Sequence, residues 1–174
     1  MGQAQLTLKK IGKDGFRYEG VAIDTLVIAG WTGRNQEALQ KHIRELEELG
    51  VPRPKTTPIF YRVAASLLTL ADDMQVSGGN TSGEVEFVIF QLADGPWVGL
   101  GSDHTDRKAE TQGVSLSKQL CAKPGAGEVW RLADVRRVLP LTLASMLLAS
   151  LLWVVVGLVV RADVASGAAA PLAD

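Results

Sequence analysis

EVEFVIFQLADGPWVGLGS, residues 84–102, reads as two strands and the turn between them. Glu84–Gln91 is rich in β-branched and aromatic residues, Ala93-Asp94-Gly95-Pro96 has turn chemistry, and Trp97–Ser102 returns as a second strand. Residues two apart on a strand share a face, so Glu84 and Glu86 project their carboxylates together. Neighbouring anions repel unless a cation lies between them or water screens them. Oxygen ligands of this kind suit a hard divalent ion such as Mg²⁺ or Mn²⁺, with Ca²⁺ as an alternative. The returning strand brings Asp103 to the same end of the hairpin as a third candidate carboxylate. On the Glu84/Glu86 pair alone, a solvated polar strand face is the simpler reading.

Upstream, Val21–Gly30 (VAIDTLVIAG) is expected to be one buried strand, and Glu37–Leu49 a helix with Leu39, Ile43 and Leu46 on its apolar face. Polar residues over 32–35 offer the cap, Gly50 closes the helix, and Pro52 and Pro54 prevent its continuation. Thr57–Val63 is expected as a further strand, 64–71 is open between a helical turn and a strand, and the glycine-rich 77–83 is a loop. Downstream, 106–110 is polar, 114–120 is a short strand or helical turn, and Gly125–Gly127 reads as a linker before Trp130. Strand signals outnumber helix signals, which gives a β-rich α+β class.

The 174 residues carry 18 Lys+Arg against 19 Asp+Glu, a balance that argues against nucleic acid as the main partner. One cysteine, Cys121, excludes an internal disulfide framework and any multi-cysteine zinc site. The N-terminus lacks the apolar core of a secretory signal. From Val138 to Val160 no side chain is charged, and as a helix this run would extend about 34 Å, enough to cross a bilayer core. Arg131, Arg136 and Arg137 precede it, so the positive-inside rule keeps the larger N-terminal part in the cytoplasm. The expectation is therefore a domain over 1–135, a transmembrane helix over 138–160 attaching it to a membrane, and a short tail over 161–174. A buried helix or strand pair of a soluble fold is the alternative.

Other residues with chemical potential stand in less specific settings. Ser102–Glu110 (SDHTDRKAE) is dense in ionisable groups, and its His104 could act as a general base, although a solvated turn is the simpler reading. Lys118 lies between apolar neighbours, where a lysine can stabilise an enolate or oxyanion or extend to solvent. Cys121 reads as a packing residue, and His42 with Glu45 as a surface pair on the helix.

TSGEVEFVIF, then VGLGSDHTDRKAE, then SLSKQLCAKP resemble, in that order, the fumarylacetoacetate hydrolase superfamily. The nearest likeness is to a bacterial branch of uncharacterised proteins, and it covers about Ala22 to Val135. The resemblance implies a mixed β-roll, with Glu84, Glu86 and Asp103 as divalent-metal ligands and Lys118 facing the bound keto acid; His104, the general-base candidate, is the second expected catalytic residue. Through VAIDTLVIAGWTGR and GVPRPKTTPIFYRV it implies Tyr61 and Arg62 as substrate-binding residues. The implied substrate is a 2-keto acid or related small carboxylate, handled by a hydrolase, decarboxylase, isomerase or dehydratase, and the implied assembly is a homodimer. The gap from Glu86 to Asp103 is shorter than in the better-known enzymes. The superfamily's later strands and its Gly-Thr segment are replaced by the apolar run. Truncation or frame change, leaving the site inactive, is the favoured origin; an anchor or a segment that folds back into the sheet is the alternative. A non-catalytic single-span membrane protein with a cytoplasmic binding domain is the competing function.

Overall fold

The structure, a computed structural model, describes residues 3–33, 35–135 and 158–161. Its strands are β1 (Ala4–Gly12), β2 (Gly15–Ile23), β3 (Thr25–Gly30), β4 (Ile59–Val63), β5 (Leu68–Thr69), β6 (Thr81–Ser82), β7 (Val85–Leu92), β8 (Gly95–Ser102), β9 (Thr105–Asp106), β10 (Lys123–Arg131) and β11 (Leu158–Arg161). The helices are α1 (Gln36–Glu48), α2 (Arg107–Glu110), α3 (Val114–Gln119) and α4 (Leu132–Val135), and a 3-10 turn covers Ala65–Leu67. The class is α+β, as expected: a mixed sheet of nine strands dominates, in the order β2-β1-β10-β8-β7-β11-β3-β4, with β5 paired to β10 beside this path. β1 with β10 and β11 with β7 run parallel, while β7 with β8 and β3 with β4 run antiparallel.

Alternation builds the core. Along β7 the even positions Glu86, Val88, Phe90 and Leu92 are buried and the odd ones are not. Leu6 and Leu8 of β1, Ile23 of β2, Leu26 and Ile28 of β3, Trp97 of β8 and Val129 of β10 join the apolar members of that row in one cluster. Asn35 caps α1 by accepting from the Ala38 amide at 3.0 Å, and Leu39 and Ile43 seat the helix on Trp31. Gly50, at φ +88°, ends that helix as its sequence requires.

Three expectations are corrected, and one hairpin lies where no element is expected. Val21–Gly30 is not one strand: Asp24 interrupts it, Val21–Ile23 ending β2 and Thr25–Gly30 forming β3. β2 and β3 lie first and seventh in the strand order yet are joined by this one residue, so the sheet must curl until those regions meet. The glycines at 125 and 127 are not a linker but lie inside β10, where the register shifts between Gly125 and Val129; glycine there marks a bulge. The first 23 residues contain the β1–β2 hairpin, to which the sequence reading assigned no element. Finally, most of the 138–160 run lies outside the described residues, but Leu158–Val160 are strand, not helix. With Arg161 they pair with both β3 and β7. Among the described residues no helix is long and apolar enough to cross a membrane.

Close approach of β7, β8 and β10 depends on Gly101. A methyl group there would lie 2.6 Å from Val88 Cγ2 and 3.2 Å from the Pro124 carbonyl oxygen. Gly101→Ala is expected to destabilise the chain by about 1–3 kcal/mol through overpacking. Gly12→Ala, where nothing stands within 4 Å, is the control. Urea midpoints of the two variants check this; equal midpoints would refute the packing account.

Candidate metal centre

The β7–β8 register pairs Val85 with Ser102 and Glu86 with Gly101. One step further the Asp103 amide donates to the Glu84 carbonyl at 2.9 Å, so Glu84 and Asp103 stand across from each other. Glu86 is the diagonal neighbour on the same face, within side-chain reach. One carboxylate oxygen from each of Glu84, Glu86 and Asp103 lies within 4.8 Å of the other two.

Glu86 is the unusual member. It is 3% exposed, and neither carboxylate oxygen has a hydrogen-bond partner among the described residues. Burial, reinforced by the charges of Asp103 and Glu84, pushes its carboxyl up to about 9. A buried carboxyl with both oxygens unpartnered is costly unless protonated or satisfied by a cation. Three converging carboxylates are the donor set that a hard divalent ion prefers, so the residues present fit such an ion.

Cations border the group. Lys118, from α3, forms an ion pair with Asp103 Oδ2 and lies 3.4 Å from Thr105 Oγ1. Burial disfavours its ammonium, but Asp103, Glu84 and Glu86 outweigh burial and hold its pKa above the ordinary lysine value. Lys123, at the start of β10, is fully buried; its Nζ donates to the carbonyls of His104 and Lys118 at 2.5 and 2.6 Å and stands 3.3 Å from Asp103 Oδ1. Burial pulls this lysine below its usual value, and Asp103 only partly offsets that. Arg107, from α2, pairs with Glu84 Oε1, donates through Nε to Ser82 Oγ at 2.6 Å, and reaches Glu110 Oε2 at 3.1 Å.

The SDHTDRKAE segment is therefore not a solvated turn: Asp103, Thr105, Asp106 and Glu110 are all buried. Asp106 caps α2 by accepting from the Lys108 and Ala109 amides, each at 2.9 Å. Lys123, Arg107 and Glu110 are parts of the cluster that sequence reasoning missed; the burial that sets them apart comes from distant elements.

The remaining expected residues divide. Tyr61 is near the cluster, with Lys118 Nζ 5.9 Å from its ring centroid, and its hydroxyl oxygen accepts from Trp31 Nε1 at 2.9 Å. Burial raises the Tyr61 phenol above its usual value. Trp31 holds this contact from a left-handed backbone, φ +60°, uncommon for a bulky residue. Arg62, the next residue on β4, is exposed on the opposite face and is not brought to the cluster. His104 lies against Gly83: a methyl there would stand 2.7 Å from His104 Cε1 and 2.8 Å from Ser102 Oγ. Its Nδ1 is buried without a hydrogen-bond partner among the described residues, and burial, with Lys123 nearby, lowers its pKa. His42 and Glu45 form an exposed pair at 3.9 Å on α1, and Cys121 is buried with Thr81 Oγ1 at 3.4 Å.

Fold and site together define a β-rich α+β chain with a buried acidic triad able to bind a metal ion. Residues 29–152 match the family model described as "Protein of unknown function (DUF2848)", and the chain belongs to that family. No curated protein and no solved structure matches it.

Proposed function

We propose that the chain is a divalent-metal-dependent hydrolase or lyase of the fumarylacetoacetate hydrolase type, acting on a 2-keto acid or related small carboxylate. The observation that carries the reading is Glu86: a buried carboxylate, both oxygens unpartnered, converging with Glu84 and Asp103. The curl that brings β2 round to β3 agrees with a mixed β-roll. Glu84, Glu86 and Asp103 would hold Mg²⁺ or Mn²⁺. Such an ion supplies positive charge beside an oxygen that becomes anionic as a C–C bond breaks or a group leaves.

The protein's own groups do the rest. Asp103 keeps Lys118 charged in a water-poor setting, so its ammonium adds a hydrogen-bond donor for a substrate carboxylate or enolate oxygen. Trp31 occupies the acceptor side of the Tyr61 hydroxyl, which leaves the phenol proton free to be donated to a ligand. Lys123 donates to two carbonyls and stands 3.3 Å from Asp103 Oδ1 as an ion pair, so it holds the segment together rather than binding substrate.

The test uses the full chain, because a polypeptide ending before Leu158 lacks β11, a strand paired on both sides. After treatment with a chelator and its removal, calorimetric titration with Mn²⁺ and Mg²⁺ is expected to give heat. Oxalate, a mimic of a 2-keto acid enolate, is then expected to bind only after the metal, and to bind weakly in Lys118→Met. Absence of metal-dependent heat overturns the site. Metal binding with oxalate affinity unchanged by Lys118→Met overturns the role given to that lysine.

A further inference from the structure

We propose that β2 is a dimerisation edge, on which two copies of this chain join antiparallel along Phe16–Gly20 about a two-fold axis at Tyr18. β2 ends the strand order, and among the described residues no strand pairs with its outer side. The β1–β2 register closes on Gly12 and Gly15 across the two residues Lys13 and Asp14. The closing pair of such a hairpin exchanges both backbone hydrogen bonds, and these pairs then recur at every second residue. Lys10 with Arg17 and Leu8 with Glu19 are thus the bonded pairs. The N–H and C=O groups of Phe16, Tyr18 and Gly20 are left pointing outward, an open pairing template.

The side chains fit only one way of filling it. With Tyr18 opposite its own copy, Phe16 faces Gly20, and the outward groups of all three residues pair. Nothing lies within 4 Å of a methyl placed on Gly20, so there is room for the opposing ring, the arrangement that shields an edge glycine. Phe16 and Tyr18 are 62% and 67% exposed within one copy. On the other face Arg17 stands opposite Glu19 in both directions, a favourable cross-strand pair. Sliding by two residues keeps the backbone bonds but sets Arg17 against Arg17 or Glu19 against Glu19, which is unfavourable. Within one copy both side chains are already fixed, Arg17 to Asp94 at 2.8 Å, Glu19 to Lys10 at 3.0 Å and the two to each other at 3.1 Å, so they reach the seam pre-ordered as alternating charges. The motif FRYEG is thereby complementary to its own reverse, and a second copy of the chain is the partner that matches it.

The experiment is light scattering of the full chain, with circular dichroism to verify the fold. The wild type is expected to be dimeric and Tyr18→Lys monomeric at the same chain concentration. Glu19→Arg is expected to lose the dimer, and Arg17→Glu combined with Glu19→Arg to regain it. Residues 18 of the two copies would face each other about 5.5 Å apart at Cα, within disulfide range. Mild oxidation should therefore cross-link Tyr18→Cys but not Phe16→Cys; the native Cys121 is buried. A wild-type monomer, a dimer that survives Tyr18→Lys, or equal cross-linking at the two positions would each overturn the proposal.

Discussion

Asp103→Asn is expected to destabilise the chain by about 3–5 kcal/mol, the range for breaking a buried ion pair by removing one partner. The substitution keeps side-chain volume, so the loss measures charge rather than packing. Asp103 stands between two buried ammonium groups, pairing with Lys118 through Oδ2 and lying 3.3 Å from Lys123 through Oδ1. Lys123 has no other carboxylate partner among the described residues, and its remaining contacts are neutral carbonyls. Without the anion, Lys123 must stay charged in a poor solvent for charge or give up a proton, and Lys118 is left with only the charges of Glu84 and Glu86. Urea denaturation at pH 7 checks this; a loss below about 1 kcal/mol, the value of an exposed pair, would show that water reaches the cluster.

Glu86→Gln is expected to weaken Mn²⁺ binding at least about 100-fold, taking the upper end of the loss seen for groups that support metal sites as a floor for a direct ligand. It should also remove a pH dependence of stability in chelator. The folded pKa of Glu86, about 9, lies above the ordinary glutamate value of 4.5. The folded chain therefore holds a proton that the unfolded chain releases. This contribution to stability is fully present below about 4.5 and is lost as pH rises through about 9. The slope inside that window is at most about 1.4 kcal/mol per pH unit. Gln cannot ionise, so the variant should lose less stability between pH 6 and pH 8.5 than the wild type does. Metal affinity runs the other way, rising with pH as the ion displaces the proton. Denaturation curves at the two pH values with EDTA, and calorimetry without it, read both effects. Equal slopes for the two proteins would mean that Glu86 is solvated and ionised throughout.

The β7–β8 hairpin was legible because a period of two, a turn with Asp94-Gly95 and β-branched residues all point to one answer. That hairpin brings Glu84, Glu86 and Asp103 to one end, which local sequence made legible; reading the three as a ligand set rested on the family resemblance. The N-terminal hairpin had equal signals: Ala4, Leu6 and Leu8 alternate with polar residues, and Gly12-Lys13-Asp14-Gly15 is turn chemistry. The burial of the Ser102–Glu110 segment had none, because it is imposed by Lys118, Lys123 and Arg107 packing with other elements. Tyr61 and Arg62 show the limit of a shared motif: adjacent residues on a strand face opposite sides, and only one can reach the cluster. The end of the apolar run defeated reading by pattern, since a continuous hydrophobic stretch has no period to separate helix from strand.

β11 has a consequence for how the chain is made. It is the only strand between β3 and β7 in the described sheet, yet its residues lie more than sixty positions beyond β7. On a ribosome, β3 and β7 would emerge with their facing backbone groups unjoined, and the gap would close only after Arg161 had left the exit tunnel. Such late, long-distance pairing is slow and leaves strand edges open to other chains. Until Arg161 emerges, β3 and β7 therefore keep their facing edges unpaired, the state in which strands are most exposed to wrong partners.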